Sequence, residues 1–243
     1  MKSIPRASTQ KNVNHVVFKS IVSRLESGKR EKLLVDAPCG SGEFAHYLRD
    51  IFPNLNVIGV DLFTEVSDKN FEFHKMSAHD FFKKQKPASV DIITCISGIM
   101  CFDGIPELMS TFFSALKPEG ILVITNDNIM TIRDRLNFLF FGHFKRFKLL
   151  YAKAEGNWNI ILPQALVAQL YKNGFQNLHV KYTSTYVEDL ALLPIAAIIY
   201  PIFLIYLLLL KNQMSLKDRI ELFPFRMLIS RHYIVTAEKL TSV

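Results

Sequence analysis

Short apolar runs alternate with helical patterns along most of this chain, and that alternation limits the fold more than any other feature of the sequence. Five runs are typical of buried strands: Lys32–Asp36, Asn56–Val60, Phe71–Lys75, Asp91–Cys95 and Gly120–Thr125. Helices are expected over 11–27, 43–51, 104–116 and 162–173, and two more strands over 177–185 and 231–239. This order predicts an α/β fold with an open, mostly parallel sheet and right-handed crossovers.

Length and composition exclude several classes of protein. The chain has 243 residues, of which 49% are hydrophobic and 21% charged, so it can bury a full core and is not a disordered chain. Its three cysteines lack the spacing of metal ligands, which argues against a disulfide scaffold and a zinc module, and no metal site is expected. The first ten residues lack the apolar core of a secretion signal, so a cytosolic location is expected.

The positive charge is concentrated in two segments. The chain carries 29 Lys and Arg against 22 Asp and Glu, a formal net charge of +7. Residues 1–30 hold seven of the bases and one acid, and residues 131–153 hold six bases and one acid. Two basic surfaces on an otherwise acidic body indicate an anionic partner, either lipid headgroups or nucleic acid.

The turn after the first strand is typical of a site for a nucleoside cofactor. Asp36 ends the strand, and Gly40 and Gly42 let a ligand approach the backbone ahead of the next helix. Asp61 ends the second strand, where its carboxylate can accept both hydroxyls of a ribose. Gly40-x-Gly42-x-x-Ala45 also fits a dinucleotide pattern, but a carboxylate at Asp36 would repel a diphosphate and attract a cation. The pattern therefore favours S-adenosylmethionine.

These residues resemble motifs of the class I S-adenosylmethionine-dependent methyltransferases, especially the small-molecule branch that includes quinone-biosynthesis enzymes. The resemblance covers roughly 30–185 and the last strand, and rests on the segments 36–42, 77–80, 116–120 and 233–239 together with Asp61. It implies a Rossmann-like, seven-stranded, mostly parallel sheet with an antiparallel last strand, and S-adenosyl-L-methionine as the cofactor. It places that cofactor on twelve residues: Asp36, Ala37, Pro38, Gly40, Gly42, Asp61, Leu62, Ala78, His79, Asp80, Ile96 and Ser97.

Departures from the family pattern bear on the chemistry. Pro38 stands where the family has its first glycine, and Ser77 stands where it has an acid. Residues 97–102 read S-G-I-M-C-F, whereas relatives often read S-G-V-L-H-H, so the histidine that many relatives have there is missing. An oxygen acceptor would need a general base, and the first candidate is His143, followed by His74, His79 and Asp127.

An uncharged run of 21 residues, Leu190–Leu210, separates the last two predicted strands. As one helix it would measure ~32 Å, close to the ~30 Å of a bilayer core. If those two strands pair in one sheet, both ends of the run lie on the same side of a membrane. Pro194 and Pro201 could fold the run back, so a re-entrant or in-plane anchor is expected, with a buried helix pair or a true crossing as alternatives.

The segment 132–150 interleaves Phe with Lys and Arg after the fifth strand, which suits a lid at a lipid surface or an ordinary cap helix. Three units are expected in total. They are a basic amphipathic N-terminal helix over 1–30, a methyltransferase domain over 31–185 and 231–243, and a hydrophobic membrane-associated insert over 186–230.

Together these features predict a methyltransferase that acts on a lipid, isoprenoid or other amphiphilic acceptor at the cytosolic face of a membrane, as a monotopic or peripheral protein. Two alternatives stay open: a catalytically silent S-adenosylmethionine-binding membrane scaffold, and a methyltransferase of a soluble small molecule. A short-chain reductase is disfavoured, because no Tyr-x-x-x-Lys pair follows the fourth strand. Nucleic acid would explain the basic residues but not the apolar run, so it is not expected as a partner.

Overall fold

A computed structural model of the chain describes residues 3–27, 31–66, 70–147, 159–210 and 214–240. Their strands form one sheet: β1 (Lys32–Asp36), β2 (Leu55–Asp61), β3 (Glu72–Lys75), β4 (Val90–Cys95), β5 (Leu116–Asp127), β6 (Gln176–Thr183) and β7 (His232–Glu238). The order across the sheet is β3-β2-β1-β4-β5-β7-β6. Strand β7 runs antiparallel to both of its neighbours, and the other neighbouring pairs are parallel. This architecture confirms the predicted Rossmann-like fold and its antiparallel last strand.

Helices connect the strands, and the four predicted over 11–27, 43–51, 104–116 and 162–173 are among them. The helices are α1 (Val13–Glu26), α2 (Glu43–Ile51), α3 (Ala78–Lys84), α4 (Ile105–Ala115), α5 (Ile132–Phe141), α6 (Pro163–Lys172), α7 (Val187–Leu190), α8 (Leu193–Leu209) and α9 (Leu216–Leu222). Strand β5 is longer than the predicted Gly120–Thr125, because its first residue pairs with Val90 of β4 and its last residues pair with β7. The N-terminal helix predicted over 11–27 is α1, which ends at Glu26 and is capped by Ser27.

Alternate residues along the central strands point to opposite faces of the sheet, and each face has its own core. On one face Leu34 and Ile92 meet Val17 and Ile21 of α1, so the basic N-terminal helix is packed against the sheet. On the other face Val35 and Ile93 of the strands pack with side chains of α3, α4 and α6. Burial of both faces explains why these strands are continuous apolar runs.

The apolar run 190–210 is mostly one helix, α8, in the segment of chain that connects the paired strands β6 and β7. Thr183 of β6 faces His232 of β7, so the insert leaves the sheet and returns to it at the same edge. The fold-back expected at the two prolines is wrong. Pro194 occupies the first turn of α8, where a backbone N–H has no acceptor within the helix, so its absence costs no hydrogen bond. The helix then continues through Pro201 to Leu209.

Within the part of the chain that the structure describes, no helix combines the length and the apolar character that crossing a membrane requires.

Candidate active site

A cavity of about 250 Å³ lies beyond the carboxyl ends of β1, β2 and β4. This is the edge where open α/β sheets bind ligands. Six of the twelve residues predicted for the cofactor line the cavity: Asp36, Pro38, Gly40, Asp61, Ile96 and Ser97. Half of the predicted residues therefore meet at one cavity, and its side walls come from elsewhere in the chain.

The two glycines of the turn have different roles. Both have positive φ angles, +54° at Gly40 and +80° at Gly42, which favour glycine. A Cβ at Gly42 would lie 2.6 Å from Phe71 Cζ, so this glycine is required by packing within the protein. A Cβ at Gly40 would have no atom within 4 Å, so the backbone there faces open space. Gly40 is therefore where a ligand can approach the main chain.

Asp61 connects the glycine turn to the loop after β2. Its Oδ2 accepts a hydrogen bond from the N–H of Gly40 at 2.9 Å. Its Oδ1 accepts from the N–H groups of Phe63 and Thr64 at 2.9 and 2.8 Å. Each carboxylate oxygen has more than one acceptor position, so Asp61 can still receive ligand hydroxyls from the cavity that it lines.

Asp36 is a buried carboxyl group, and no basic side chain of the described residues forms an ion pair with it. It is 1% exposed, and its Oδ1 accepts a hydrogen bond from Thr94 Oγ1 at 2.7 Å. Burial raises its pKa to about 7, the Thr94 bond opposes the rise, and the nearby charge of Asp61 adds to it. A positively charged group in the cavity would relieve this penalty, whereas a phosphate would increase it. The site therefore suits the ammonium and sulfonium groups of S-adenosylmethionine.

The other six predicted cofactor residues are not among those that line the cavity: Ala37, Gly42, Leu62, Ala78, His79 and Asp80. Asp80 accepts a hydrogen bond from Ser77 Oγ at 2.7 Å, and Ser77 caps the N-terminus of α3. His79 Nε2 lies 2.9 Å from the carbonyl oxygen of Asp103. The segment 77–80 thus has a structural role in the cap of α3. This role is separate from the contact with the cofactor's adenine that the family resemblance implies.

The candidate bases lie away from the cavity lining. His143 follows α5 and contacts Asn137, whose Nδ2 donates to the His143 carbonyl at 2.6 Å. His74 pairs with Glu72 at 2.6 Å. Asp127 is buried between Arg146 and a histidine that the sequence analysis did not consider, His232. Among the described residues, no group of three or more His, Cys, Asp or Glu could hold a metal ion.

An N-terminal segment, which we call the strap (residues 3–12), forms one wall of the cavity and was not foreseen. Its residues Ala7, Ser8 and Thr9 line the cavity together with Asn14 of α1. Asn14 Nδ2 donates to the carbonyl of Pro5 at 2.9 Å. This wall is built by contacts between residues that no local sequence motif connects.

The strap is also fastened to the segment that follows β6. Ser184 Oγ donates to the carbonyl of Lys11 at 2.6 Å, and the Lys11 N–H donates to Tyr186 Oη at 3.3 Å. Tyr186 caps α7, the first helix of the insert. The cavity wall and the base of the insert are therefore in direct contact.

Comparison with known proteins agrees with this geometry. Residues 10–180 match the family model described as a methyltransferase domain. None of the curated proteins matches the chain significantly in sequence. A SAM-dependent methyltransferase from Archaeoglobus fulgidus is similar in structure, with a TM-score of 0.59 and 19% identity over 93% of this chain and 94% of that one.

Two other solved structures illustrate the range of the fold. One is phosphoethanolamine N-methyltransferase 2 of Haemonchus contortus, in complex with phosphomonomethylethanolamine and S-adenosylhomocysteine. It has a TM-score of 0.56 and 19% identity over 95% of this chain, which spans 53% of that protein. The other is the [4+2]-cyclase SpnF, with a TM-score of 0.57 and 15% identity over 98% of this chain and 85% of that one. At these identities the likeness establishes the fold alone.

Proposed function

The chain belongs to the methyltransferase-domain family and is an S-adenosylmethionine-dependent methyltransferase, and we propose that its acceptor is a lipid, an isoprenoid of the quinone type or a similar amphiphile, met at the cytosolic face of a membrane. When bound, S-adenosylmethionine supplies an electrophilic methyl group on a positively charged sulfur. Asp36 would face its cationic groups, Asp61 its ribose hydroxyls, and Gly40 leaves room for it at the turn. The chain's main task is then to align the acceptor, which can contribute ~7–11 kcal/mol in well-oriented systems.

The observation that carries this proposal is the exposed apolar face of α8. Seven large apolar side chains on this helix are 38–76% exposed: Ile195, Ile198, Ile202, Ile205, Tyr206, Leu208 and Leu209. Ala196 and Leu207 are the buried contacts of the same helix. Soluble proteins rarely expose a continuous apolar patch of this kind unless something covers it.

The end of α5 adds aromatic side chains to this region. Residues 138–141, which read F-L-F-F, are 51–73% exposed. The Arg135 guanidinium lies 5.8 Å from the centre of the Phe203 ring, so α5 and α8 are neighbours. We call the exposed side chains of α8 and residues 138–141 the apolar surface. Aromatic and aliphatic side chains next to arginines suit the boundary between acyl chains and headgroups.

Charge favours an anionic lipid surface as the occupant. The bases Arg133, Arg135 and Lys145 are in or just after α5, and Lys217 and Arg226 follow α8. Their side chains can meet lipid phosphates while the apolar surface enters the acyl boundary. A protein partner would cover the apolar side chains, but it would not call for bases in α5 and after α8.

The ends of α8 favour a helix that lies in the plane of a membrane surface. The insert starts and finishes at the paired ends of β6 and β7, so both of its ends are on one side. At the C-terminus of α8, Arg219 Nη1 donates to the carbonyls of Leu207 and Leu210 at 2.5 and 2.8 Å. A cation that satisfies these carbonyls stabilises the helix end without help from lipid.

Flotation with vesicles tests the membrane contact. The wild type is expected to float with vesicles of phosphatidylcholine and phosphatidylglycerol, and more weakly with phosphatidylcholine alone. Changing Ile198, Ile202 and Leu209 to Ser should reduce binding at least tenfold, because apolar area no longer leaves water, and the donor affinity should not change. Tyr171→Ser, an exposed apolar side chain on α6, is the matched control. A triple variant that floats like the wild type would contradict the membrane contact.

Transfer of a labelled methyl group tests the acceptor class. Cell membranes and the soluble fraction are incubated separately with the enzyme and methyl-labelled donor, and label in extracted lipid supports the proposal. A soluble acceptor is the second candidate, since the Haemonchus contortus structure holds phosphomonomethylethanolamine. Label that appears only in water-soluble products would favour that candidate. Family membership favours either enzyme over the silent scaffold, which would transfer no label.

A further inference from the structure

We propose that Ser97 and His232 form a proton relay for an acceptor that is methylated on a hydroxyl oxygen. Ser97 is the catalytic residue that contacts the acceptor, and His232 is a positioning residue that receives the proton through Ser97. This inference rests on the proposed function and adds the chemical class of the acceptor, an alcohol or a phenol. It also supplies the histidine that residues 97–102 lack.

Ser97 joins the cavity to the interior of the protein. It follows β4 in a left-handed conformation, with φ of +53°, and its N–H donates to Thr125 Oγ1 at 2.8 Å. This bond and the unusual backbone angle fix the residue where it lines the cavity beside Asp36 and Ile96. Its hydroxyl lies 3.3 Å from His232 Nε2 and 3.4 Å from Thr125 Oγ1. The hydroxyl can therefore exchange a proton with a group in the cavity and with His232.

His232 is the first residue of β7 and is 1% exposed. It faces Asp127 across the ladder between β5 and β7, and its Nδ1 lies 3.0 Å from Asp127 Oδ1. The ring nitrogen and this oxygen are not well aligned for a hydrogen bond, so the contact is mainly electrostatic. A carboxylate at that distance favours a proton on Nδ1, which leaves the lone pair of Nε2 directed to Ser97.

Burial keeps His232 neutral before the reaction. Burial lowers its pKa to about 4, Asp127 opposes this effect, and Arg146, which pairs with Asp127, strengthens it. Among the described residues, Asp127 on β5 and Arg146 after α5 are the charged side chains that act on the ring. A neutral imidazole at neutral pH has the free lone pair that a proton acceptor needs.

The proton balance of the step is simple. The acceptor oxygen forms its bond to the methyl carbon as its O–H proton passes to Ser97 Oγ, and the proton of Ser97 passes to Nε2 of His232. The carbon–sulfur bond breaks with its electron pair on sulfur, so one positive charge disappears from the cavity as one appears on the imidazole. The net charge of the site is unchanged, and Asp127 lies where the new charge forms.

A structural role for His232 is the competing explanation, and nitrogen NMR separates the two without an acceptor. In protein with ¹⁵N-labelled histidine at neutral pH, Nε2 of His232 should show the shift of an unprotonated nitrogen, assigned by its loss in His232→Gln. Ser97→Ala should move that signal, with and without bound donor. A proton on Nε2 in the wild type would overturn the relay.

Label transfer gives the second readout. His232→Gln and Ser97→Ala should lower transfer to a hydroxyl lipid by ~10²–10⁴-fold, the usual contribution of general base catalysis, and calorimetry should show unchanged donor affinity in His232→Gln, whose side chain does not line the cavity. In His232→Gln the rate should rise about tenfold per pH unit, because the acceptor hydroxyl must ionise unaided, whereas the wild type should not show this rise. His179→Gln, an exposed histidine on β6, is the control.

The outcomes separate the two proposals. If the wild type transfers label to a nitrogen or carbon atom, or if both variants transfer label to oxygen as fast as the wild type, the relay is wrong and the methyltransferase proposal stands. A variant that is slower than the wild type by the same factor at every pH would also overturn the relay. The loss of a general base becomes smaller as the pH rises, whereas a loss caused by a structural defect does not. If the wild type labels no lipid, the proposed acceptor class fails, and the relay to a lipid hydroxyl fails with it.

Discussion

Two regions of the molecule depart from ordinary packing in opposite ways. The edge of the sheet at β1 and β2 buries polar groups, and the surface of α8 exposes apolar ones. At the edge, two carboxyl groups are buried, with Asp36 1% and Asp61 8% exposed. On α8, aliphatic side chains are in water, with Leu209 76% exposed. Each arrangement lowers the stability of the isolated protein, since ionised groups favour water and aliphatic groups avoid it. The difference indicates which partner would stabilise each region. A cation would stabilise the carboxyl groups at the edge of the sheet, and an apolar phase would stabilise the exposed side chains of α8.

The largest change in the free energy of unfolding is expected on the buried side of α8, and the exposed side is its comparison. Leu207→Ala removes a side chain that is 2% exposed and should reduce the free energy of unfolding by ~2–5 kcal/mol. Leu209→Ala should leave the free energy of unfolding nearly unchanged in the absence of lipid and should weaken vesicle binding instead. Urea unfolding and flotation measure the two quantities. Equal destabilisation by both changes would mean that Leu209 is buried against the protein in solution.

The next effect concerns Asp36, whose pKa is about 7 in the fold against the ordinary 3.8. Between these values the folded state keeps a proton that the unfolded state has released, so stability falls as the pH rises through this window. Asp36→Asn should therefore be more stable than the wild type by on the order of 2–4 kcal/mol at about pH 8, and equal to it below about pH 4.

The same substitution should weaken donor binding, because the neutral amide no longer attracts a cation. Unfolding in urea at several pH values measures the stability, and calorimetry with S-adenosylmethionine measures the affinity. A variant that is less stable than the wild type at high pH would show that the buried carboxylate has a stabilising partner, and the contrast with α8 would then lose its meaning.

A smaller effect is expected for Asp61→Ala. Loss of a charged acceptor for ligand hydroxyls and for the N–H of Gly40 should weaken donor affinity by ~1.5–3 kcal/mol, or roughly ten- to 150-fold. Glu65→Ala, an exposed carboxylate on the same loop, is the control and should bind the donor like the wild type. Unchanged affinity in Asp61→Ala would remove Asp61 from the cofactor site.

The smallest effect is expected for Ser77→Ala, which removes the cap of α3. Thermal unfolding should show a loss of ~1 kcal/mol, the usual contribution of a helix cap, with little change in donor affinity. Ser110→Ala, an exposed serine inside α4, is the matched control. A clear fall in donor affinity would instead assign segment 77–80 to the adenine, as the family resemblance implies.

The sequence was sufficient for the fold and for the floor of the cavity because both depend on local patterns. Buried strands such as β1 and β4 are continuous apolar runs, and the glycine turn directly follows a strand that ends in Asp36. Asp61 could be placed for the same reason, since parallel strands bring their carboxyl ends to one edge.

The walls of the site could not be predicted, because they depend on contacts between distant segments. The register of β5 against β7 brings His232 to Asp127, and no pattern near either residue indicates that pairing. The strap reaches Ser184 and Tyr186 through bonds that span more than 170 residues. Likewise, the apolar run favoured a membrane anchor and left a buried helix pair as an alternative, because hydropathy does not report which side chains a fold leaves exposed.

The cavity can open by a local change, in which the strap detaches while the rest of the fold is kept. The strap's bonds to Ser184 and Tyr186 are few and only part-buried or exposed, so they can break while the sheet stays intact. Segments held in this way open at a small fraction of the free energy of global unfolding. Replacement of spent donor by fresh donor can then proceed through fraying of the strap, and deuterium uptake at the amide of Lys11 would time that exchange.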